Sequence, residues 1–185
     1  FNYKSEHDLF KSLINMHIKE PAKENSLMDS IKSLKVISDP VSEMVRKQYE
    51  ENPFPRWRYT YSKTPSNPLI IINNQISPNE IKLNNKFNNP KILIAGCGTG
   101  KQIFIAQNYL NSKIFAVDLS KKSLAYAKRK IEESKIDNVQ FFHGDILDLN
   151  NFDRKFDIIE CVGVLHHMKE PLKGLDILLN LLEPY

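Results

Sequence analysis

The chain has 185 residues, 41% of them apolar, enough for one domain with a real core, which excludes global disorder. Lys and Arg outnumber Asp and Glu by 26 to 22, a net +4 too mild to argue for a nucleic-acid surface, and Lys128-Arg129-Lys130 reads as the solvated face of a helix. The two cysteines lack metal spacing, and there is no signal-peptide pattern and no apolar run of membrane-spanning length; a cytoplasmic protein with reduced thiols and no bound metal is expected.

Residues 6–18 carry Leu9, Phe10, Leu13, Ile14 and His17 at helical spacing and predict an amphipathic helix that packs on another surface, stopped by Pro21. A second helix is predicted from Leu27 to Val36, with Ser26 as its cap. Asp39-Pro40 starts a third, because Asp caps and Pro at the first turn has no N–H to waste. That helix ends in Asn52-Pro53-Phe54-Pro55-Arg56-Trp57, where the prolines force an extended path. Phe54, Trp57, Tyr59 and Tyr61 put much aromatic surface into this irregular stretch. Two readings stand side by side: a packed connector, or a lid over a ligand with Tyr49, Phe54, Arg56 and Trp57 facing the site. The apolar run Leu69 to Ile72 is read as a short strand, and Ser77-Pro78-Asn79-Glu80 as a capping box opening a short helix to about Phe87.

From Lys91 the pattern becomes regular. Strands are predicted at Ile92–Ala95, Lys113–Val117, Val139–Phe142 and Phe156–Cys161. Helices are predicted from Thr99 or Gly100 to about Leu110, from the Ser120 cap to Ser134, and from Pro171 to Leu182. The alternation predicts an α/β fold: a Rossmann-like, doubly wound parallel sheet with both faces covered. The expected organisation is a helical extension with an aromatic cap over 1–60, a linker over 61–89 and a truncated core over 90–185, whose sheet would continue beyond Tyr185.

The first strand runs into Gly96-Cys97-Gly98-Thr99-Gly100 and then a helix, the opening of a nucleotide-binding βαβ unit. A dinucleotide fingerprint needs glycine at 101, where Lys101 stands. Each later strand also ends in a residue that a nucleoside can use. Asp118, 18 residues after Gly100, can accept from ribose hydroxyls. Asp145 can accept from an adenine amine, with Ile146 against the ring. Cys161-Val162-Gly163 lies where a bound group would meet its acceptor. Such sheets bind ligands outside the carboxyl ends of their strands, so four contacts there weigh more than any single motif.

These motifs resemble the class I S-adenosylmethionine-dependent methyltransferases over residues 90–184. Ile94 to Gly100 is similar to their glycine motif, Val117-Asp118-Leu119-Ser120 to their acidic motif and Gly144-Asp145-Ile146 to their adenine motif. Phe156 to His167 is similar to the segment after their fourth strand. The family usually continues L-x-P-G-G into a fifth strand, whereas Pro184 is followed here by Tyr185. The resemblance implies S-adenosylmethionine as methyl donor, held by Gly96, Cys97, Gly98, Thr99, Gly100, Asp118, Leu119, Asp145, Ile146, Cys161 and Val162. A narrower resemblance lies upstream. Asp39 to Ser42 and Val45-Arg46-Lys47-Gln48-Tyr49-Glu50-Glu51-Asn52-Pro53-Phe54-Pro55-Arg56-Trp57 look like a segment of a bacterial group. That group includes tetratricopeptide-fused methyltransferases and the protein-lysine methyltransferases of an outer-membrane autotransporter. No 34-residue period of such repeats appears in this chain. The implied partner is a protein substrate methylated on lysine, with a homodimer through segments outside this sequence as a further expectation. Lysine must lose a proton before it attacks, and Tyr49, His166, His167 and Glu160 are the candidate bases. A small-molecule or lipid acceptor, a nicotinamide oxidoreductase and a donor-binding module without activity are the alternatives.

Overall fold

The computed structural model describes residues 7–60, 64–82 and 88–184. Its centre is a five-stranded sheet of β1 (Lys32–Ser33), β2 (Lys91–Ala95), β3 (Lys113–Asp118), β4 (Val139–His143) and β5 (Ile158–Glu160). All pairs are parallel, in the spatial order β1-β4-β3-β2-β5. Around it lie α1 (Asp8–Ile14), α2 (Glu20–Met28), α3 (Pro40–Glu51), α4 (Pro68–Ile76), α5 (Lys101–Ala106), α6 (Lys121–Glu133) and α7 (Pro171–Asn180). The chain winds outward from β2 through β3 to β4, then crosses back to lay β5 on the other side of β2. That reversal opens a crevice at the carboxyl ends of the strands.

Ile92–Ala95 of β2 and Ile114–Val117 of β3 are buried, and their side chains sort by period two into two cores. Ile92, Ile94, Ile114 and Ala116 join Ile103, Phe104, Leu124 and Ile131 of α5 and α6. Leu93, Phe115 and Val117 join Phe142, Leu149, Phe156 and Leu178 on the opposite face. Each such aliphatic or aromatic side chain contributes about 1.5–3 kcal/mol when fully buried, so the middle strands are the rigid reference of the molecule.

The predicted core strands and helices are all present, with ends moved by a few residues. Ser120 caps α6 as expected, accepting from Ser123 N–H at 3.0 Å. One side chain on that helix contradicts its sequence reading: Arg129 is 2% exposed, not part of a solvated face.

Upstream of Lys91 the structure corrects more. Asp39 does cap α3, accepting from Val41 and Ser42 N–H at 3.0 and 2.9 Å. Pro21, however, does not stop a helix. It falls in the first turn of α2, which α1 reaches through a π-helical turn over Asn15–Lys19. Leu9 and Leu13 of α1 are exposed rather than packed, and His17 is exposed too. Ser26 does not begin a helix, since its hydroxyl donates to the Lys23 carbonyl inside α2. The helix predicted over 27–36 gives way to β1, an unpredicted edge strand that pairs with β4. Leu34 N–H donates to His143 O at 2.9 Å, so pairing across the sheet overrides the local helical spacing. Leu69 to Ile72 lies in α4, not in a strand. Asn67 caps that helix, accepting from Leu69 N–H at 2.9 Å, and Ile71 and Ile72 pack on the core. Ser77 closes α4, and 79–82 are not helical; the remainder of the helix predicted to Phe87 lies outside the described residues, as does Tyr61.

Candidate functional site

A cavity of about 360 Å³ lies at the carboxyl ends of the strands, within the range of small-molecule sites. The turn after β2 supplies Gly96, Cys97, Gly98 and Thr99. The end of β3 supplies Val117, Asp118 and Leu119, and the end of β4 supplies Gly144, Asp145 and Ile146. The segment after β5 supplies Val162, Gly163, Val164, His167 and Met168. Across from them, α3 supplies Ser42, Val45 and Tyr49, and the extended segment supplies Phe54 and Pro55.

The glycine turn is shaped for close approach. Gly98 has φ +51°, and a Cβ there would meet nothing closer than the Phe54 carbonyl at 4.0 Å, so the space beside it belongs to the cavity. Gly100 differs. Its φ is +86°, and a Cβ would lie 2.7 Å from the Ala127 Cβ, so it serves the packing of α5 on α6 and is not in the cavity wall.

Asp118 is the electrostatic centre. Its two oxygens accept from Gly98 N–H at 2.7 Å and Ser120 N–H at 2.9 Å. The Leu119 N–H also acts on this carboxylate, and of its roughly four acceptor directions at least one remains for a further donor. Burial pushes its pKa up to about 6 against these backbone bonds, with Glu50 adding a smaller push in the same direction. Glu50 is held by the start of α6, where its carboxylate accepts from Lys121 N–H at 2.6 Å. His143, beside Asp118 in the sheet register, bridges Ser33 Oγ at 3.1 Å and Leu119 O at 3.0 Å. Burial, reinforced by Lys121, lowers its pKa. Asp145, 4% exposed, uses one oxygen to cap the next turn, accepting from Leu147 N–H at 3.0 Å. Burial and the charge of Asp118 raise the Cys97 thiol well above the usual range, so it acts as apolar wall.

Most of the residues picked from the sequence meet here: Gly96, Cys97, Gly98, Thr99, Asp118, Leu119, Asp145, Ile146, Val162, Tyr49 and Phe54 all line the cavity. Gly100, Cys161, Arg56, Trp57 and His166 do not. Arg56 and Trp57 turn away from it and toward α6, which corrects their reading as lid residues. Arg56 pairs with Glu24 at 2.9 Å, and Trp57 packs on Phe104 and Tyr126. Glu160 is engaged outside the cavity, by Gln102 Nε2 at 2.5 Å and by Tyr109. His167 lines the wall with its ring 6.3 Å from that of Tyr49, and His166 lies behind it at 4.0 Å. Gly163, singled out with Cys161 and Val162, also lines the wall, whereas Ser42, Val45, Pro55, Lys101, Gln102 and Met168, among others, were missed. Ser42, Val45 and Tyr49 stand at i, i+3 and i+7, a single helix face, and that spacing was the available signal.

Among the described residues, no group of three or more His, Cys, Asp and Glu could hold a metal, and no helix is long and apolar enough to cross a membrane. Both cysteines are free.

Comparison with known proteins gives the geometry a family. A protein of Rickettsia prowazekii, RP028, is 35% identical over 139 residues, 74% of this chain and 53% of the relative. Demethylmenaquinone methyltransferase of Clavibacter sepedonicus is 35% identical over 50% of this chain and 36% of its own length. Among solved structures, PKMT2 from Rickettsia typhi in complex with AdoHcy superposes with a TM-score of 0.54 at 31% identity, over 71% of this chain and 25% of that one. This chain thus spans about half of RP028 and a quarter of PKMT2. A family model described as a methyltransferase domain matches residues 86–185, more than half of the sequence. The cavity with its glycine turn, the carboxylate at the end of β3 and these similarities agree: the chain belongs to the methyltransferase-domain family and has the Rossmann-like fold of class I methyltransferases.

Proposed function

We propose that this chain binds S-adenosylmethionine in the cavity at the strand ends and methylates the lysine side chain of a protein. The observation that carries the donor assignment is Asp118, aimed from the end of β3 with spare acceptor capacity, opposite a glycine turn that leaves its side open. In this reading Asp118 accepts from the ribose hydroxyls, and Asp145 and Ile146 hold the adenine. The turn Gly96–Thr99 faces the remainder of the donor. When bound, the donor supplies a methyl on a sulfonium, already activated for in-line transfer. The rest is the work of the chain: to orient the two reactants and exclude water.

The acceptor assignment rests on the upstream segment, whose sequence resembles bacterial protein-lysine methyltransferases. The similarity to PKMT2 from Rickettsia typhi covers 71% of this chain, more than the 86–185 stretch, so it reaches beyond the methyltransferase domain into the upstream part of the chain. A lysine ammonium, with a reference pKa of about 10.4, must lose its proton before the nitrogen attacks carbon. An apolar mouth favours the neutral amine by desolvation. Of the four candidate bases, Tyr49 and His167 are the two on the cavity wall; in this reading an imidazole nitrogen of His167 takes up that proton, with Tyr49 beside it. The methyl carbon then leaves sulfur for nitrogen, and S-adenosylhomocysteine is the product.

A small-molecule acceptor is the second reading, favoured by the similarity to demethylmenaquinone methyltransferase. Transfer of a radiolabelled methyl group separates the two. Label on lysine of an outer-membrane protein mixture, absent from a quinol, supports the protein acceptor. Label on the quinol alone overturns it.

A further inference from the structure

A charge cluster stands behind the cavity and supplies none of its lining residues. Glu24 of α2, its side chain 10% exposed, receives Arg129 Nε at 3.0 Å and Arg56 Nη2 at 2.9 and 3.1 Å. Arg129 is 2% exposed and also pairs with Glu20 at 3.0 Å and Glu133 at 2.7 Å. Both guanidinium groups lie over the Tyr126 ring, at 4.6 and 5.0 Å, and the Tyr126 hydroxyl donates to the Trp57 carbonyl. Arg129 thus has three carboxylate partners without Arg56. Arg56 is 40% exposed, so its pair with Glu24 contributes little to overall stability.

What Arg56 does hold is its neighbours. The Pro55 carbonyl accepts from Thr99 Oγ1 at 2.7 Å, and Trp57 Nε1 donates to the Thr99 carbonyl at 3.1 Å. The residues on either side of Arg56 therefore grip the glycine turn, and Phe54 and Pro55 close the cavity beside Gly98. We propose that Arg56 and Glu24 are positioning residues: the buried carboxylate of α2 anchors the 54–57 segment through Arg56 and so sets the glycine turn for the donor. The helices upstream of α3 then tune the affinity of a cavity they do not touch. This inference rests on the donor assignment above.

Trp57 is the only tryptophan in the sequence, so its fluorescence reports docking of the segment without any ligand. In Arg56→Ala the emission shifts to the red and becomes more accessible to acrylamide while the fold stays intact. Calorimetric titration then gives an S-adenosylhomocysteine Kd raised about five- to tenfold, a typical effect for a coupled position outside the site. Arg56→Lys keeps the charge without the planar fork and recovers part of both signals. Glu20→Gln, which breaks another Arg129 pair and leaves the segment alone, keeps both readouts at wild-type values. Unchanged emission in Arg56→Ala, or a changed emission with an unchanged Kd, would overturn the proposal. So would Glu20→Gln producing the same shifts, because the effect would then be general loosening of α2 on α6. If the wild type binds no S-adenosylhomocysteine, it is the donor assignment that fails, and Trp57 emission still decides whether Arg56 anchors the segment.

Discussion

The two walls of the cavity are built differently. The strand-end wall is an extension of the sheet: its residues follow directly from β2, β3 and β4, whose side chains are packed in two cores. The facing wall, α3 with Phe54 and Pro55, stands outside the sheet and is pinned by single polar contacts. Ser120 Oγ donates to Tyr49 O at 3.1 Å, Lys121 N–H to Glu50 at 2.6 Å, and Thr99 Oγ1 to Pro55 O at 2.7 Å. Each such bond contributes roughly 1 kcal/mol net. The first wall is therefore hard to move without unfolding the domain, whereas the second can be loosened one contact at a time. One fold can host many chemistries through the sites grafted on it, and a rigid wall facing an adjustable one suits such variation.

Substitutions in the rigid wall have the largest expected effect. Gly98→Val would place a branched side chain at φ +51° beside the cavity, so donor binding is lost. The left-handed backbone strain accounts for only about 1–2 kcal/mol of stability. A folded variant, by circular dichroism, that still binds S-adenosylhomocysteine like the wild type would mean the donor does not approach this turn. Asp118→Ala removes charge-assisted acceptors and weakens donor binding by roughly 1.5–3 kcal/mol. An unchanged Kd in calorimetry would remove the ribose from Asp118.

A pH series sharpens the same point. In the proposed donor complex the ribose hydroxyls donate to ionised Asp118, whose pKa burial raises to about 6, so donor affinity is expected to be full well above that value. Below it, affinity falls up to about tenfold per pH unit. Stability of the ligand-free protein runs the other way. The folded state holds its proton more tightly than the unfolded chain, so this stabilisation is complete below about pH 4 and is lost as pH rises through about 6. Calorimetry between pH 5 and 8 checks the first trend and thermal unfolding the second. The smallest effect is expected at a contact by which the rigid wall holds the facing one. Thr99→Val leaves the Pro55 carbonyl without its partner, which costs about 1 kcal/mol and lowers the thermal midpoint by about 2–4 °C. Its donor Kd rises only a few-fold.

The same division governs what the sequence could reveal. The strand-end wall was legible because short-range rules create it: an apolar run, glycines at alternate positions, and a carboxylate at the next strand end. The facing wall was legible only in part. Asp39-Pro40 announced α3 through capping chemistry, and Tyr49 and Phe54, singled out by their surroundings in the sequence, line the cavity. Arg56 and Trp57 do not, because their direction is set by Glu24, Phe104 and Tyr126, which are distant in sequence. β1 escaped for the same reason, since two residues become a strand only through β4. The run Leu69 to Ile72 misled in the other direction: its β-branched side chains suggest a strand, but Asn67-Pro68 supplies a helix cap and first turn, and the cap prevails. Arg129 shows the limit for charge patterns, because a basic run on a helix gives no hint that three acidic partners lie over one member of it.

The most direct experiment is calorimetric titration of S-adenosylhomocysteine into the wild-type chain, with NADH as the control. Saturable one-site binding of S-adenosylhomocysteine, with no heat from NADH, is the predicted result. Binding of NADH in its place, or a folded chain that takes up no S-adenosylhomocysteine, would contradict the assignment of the cavity.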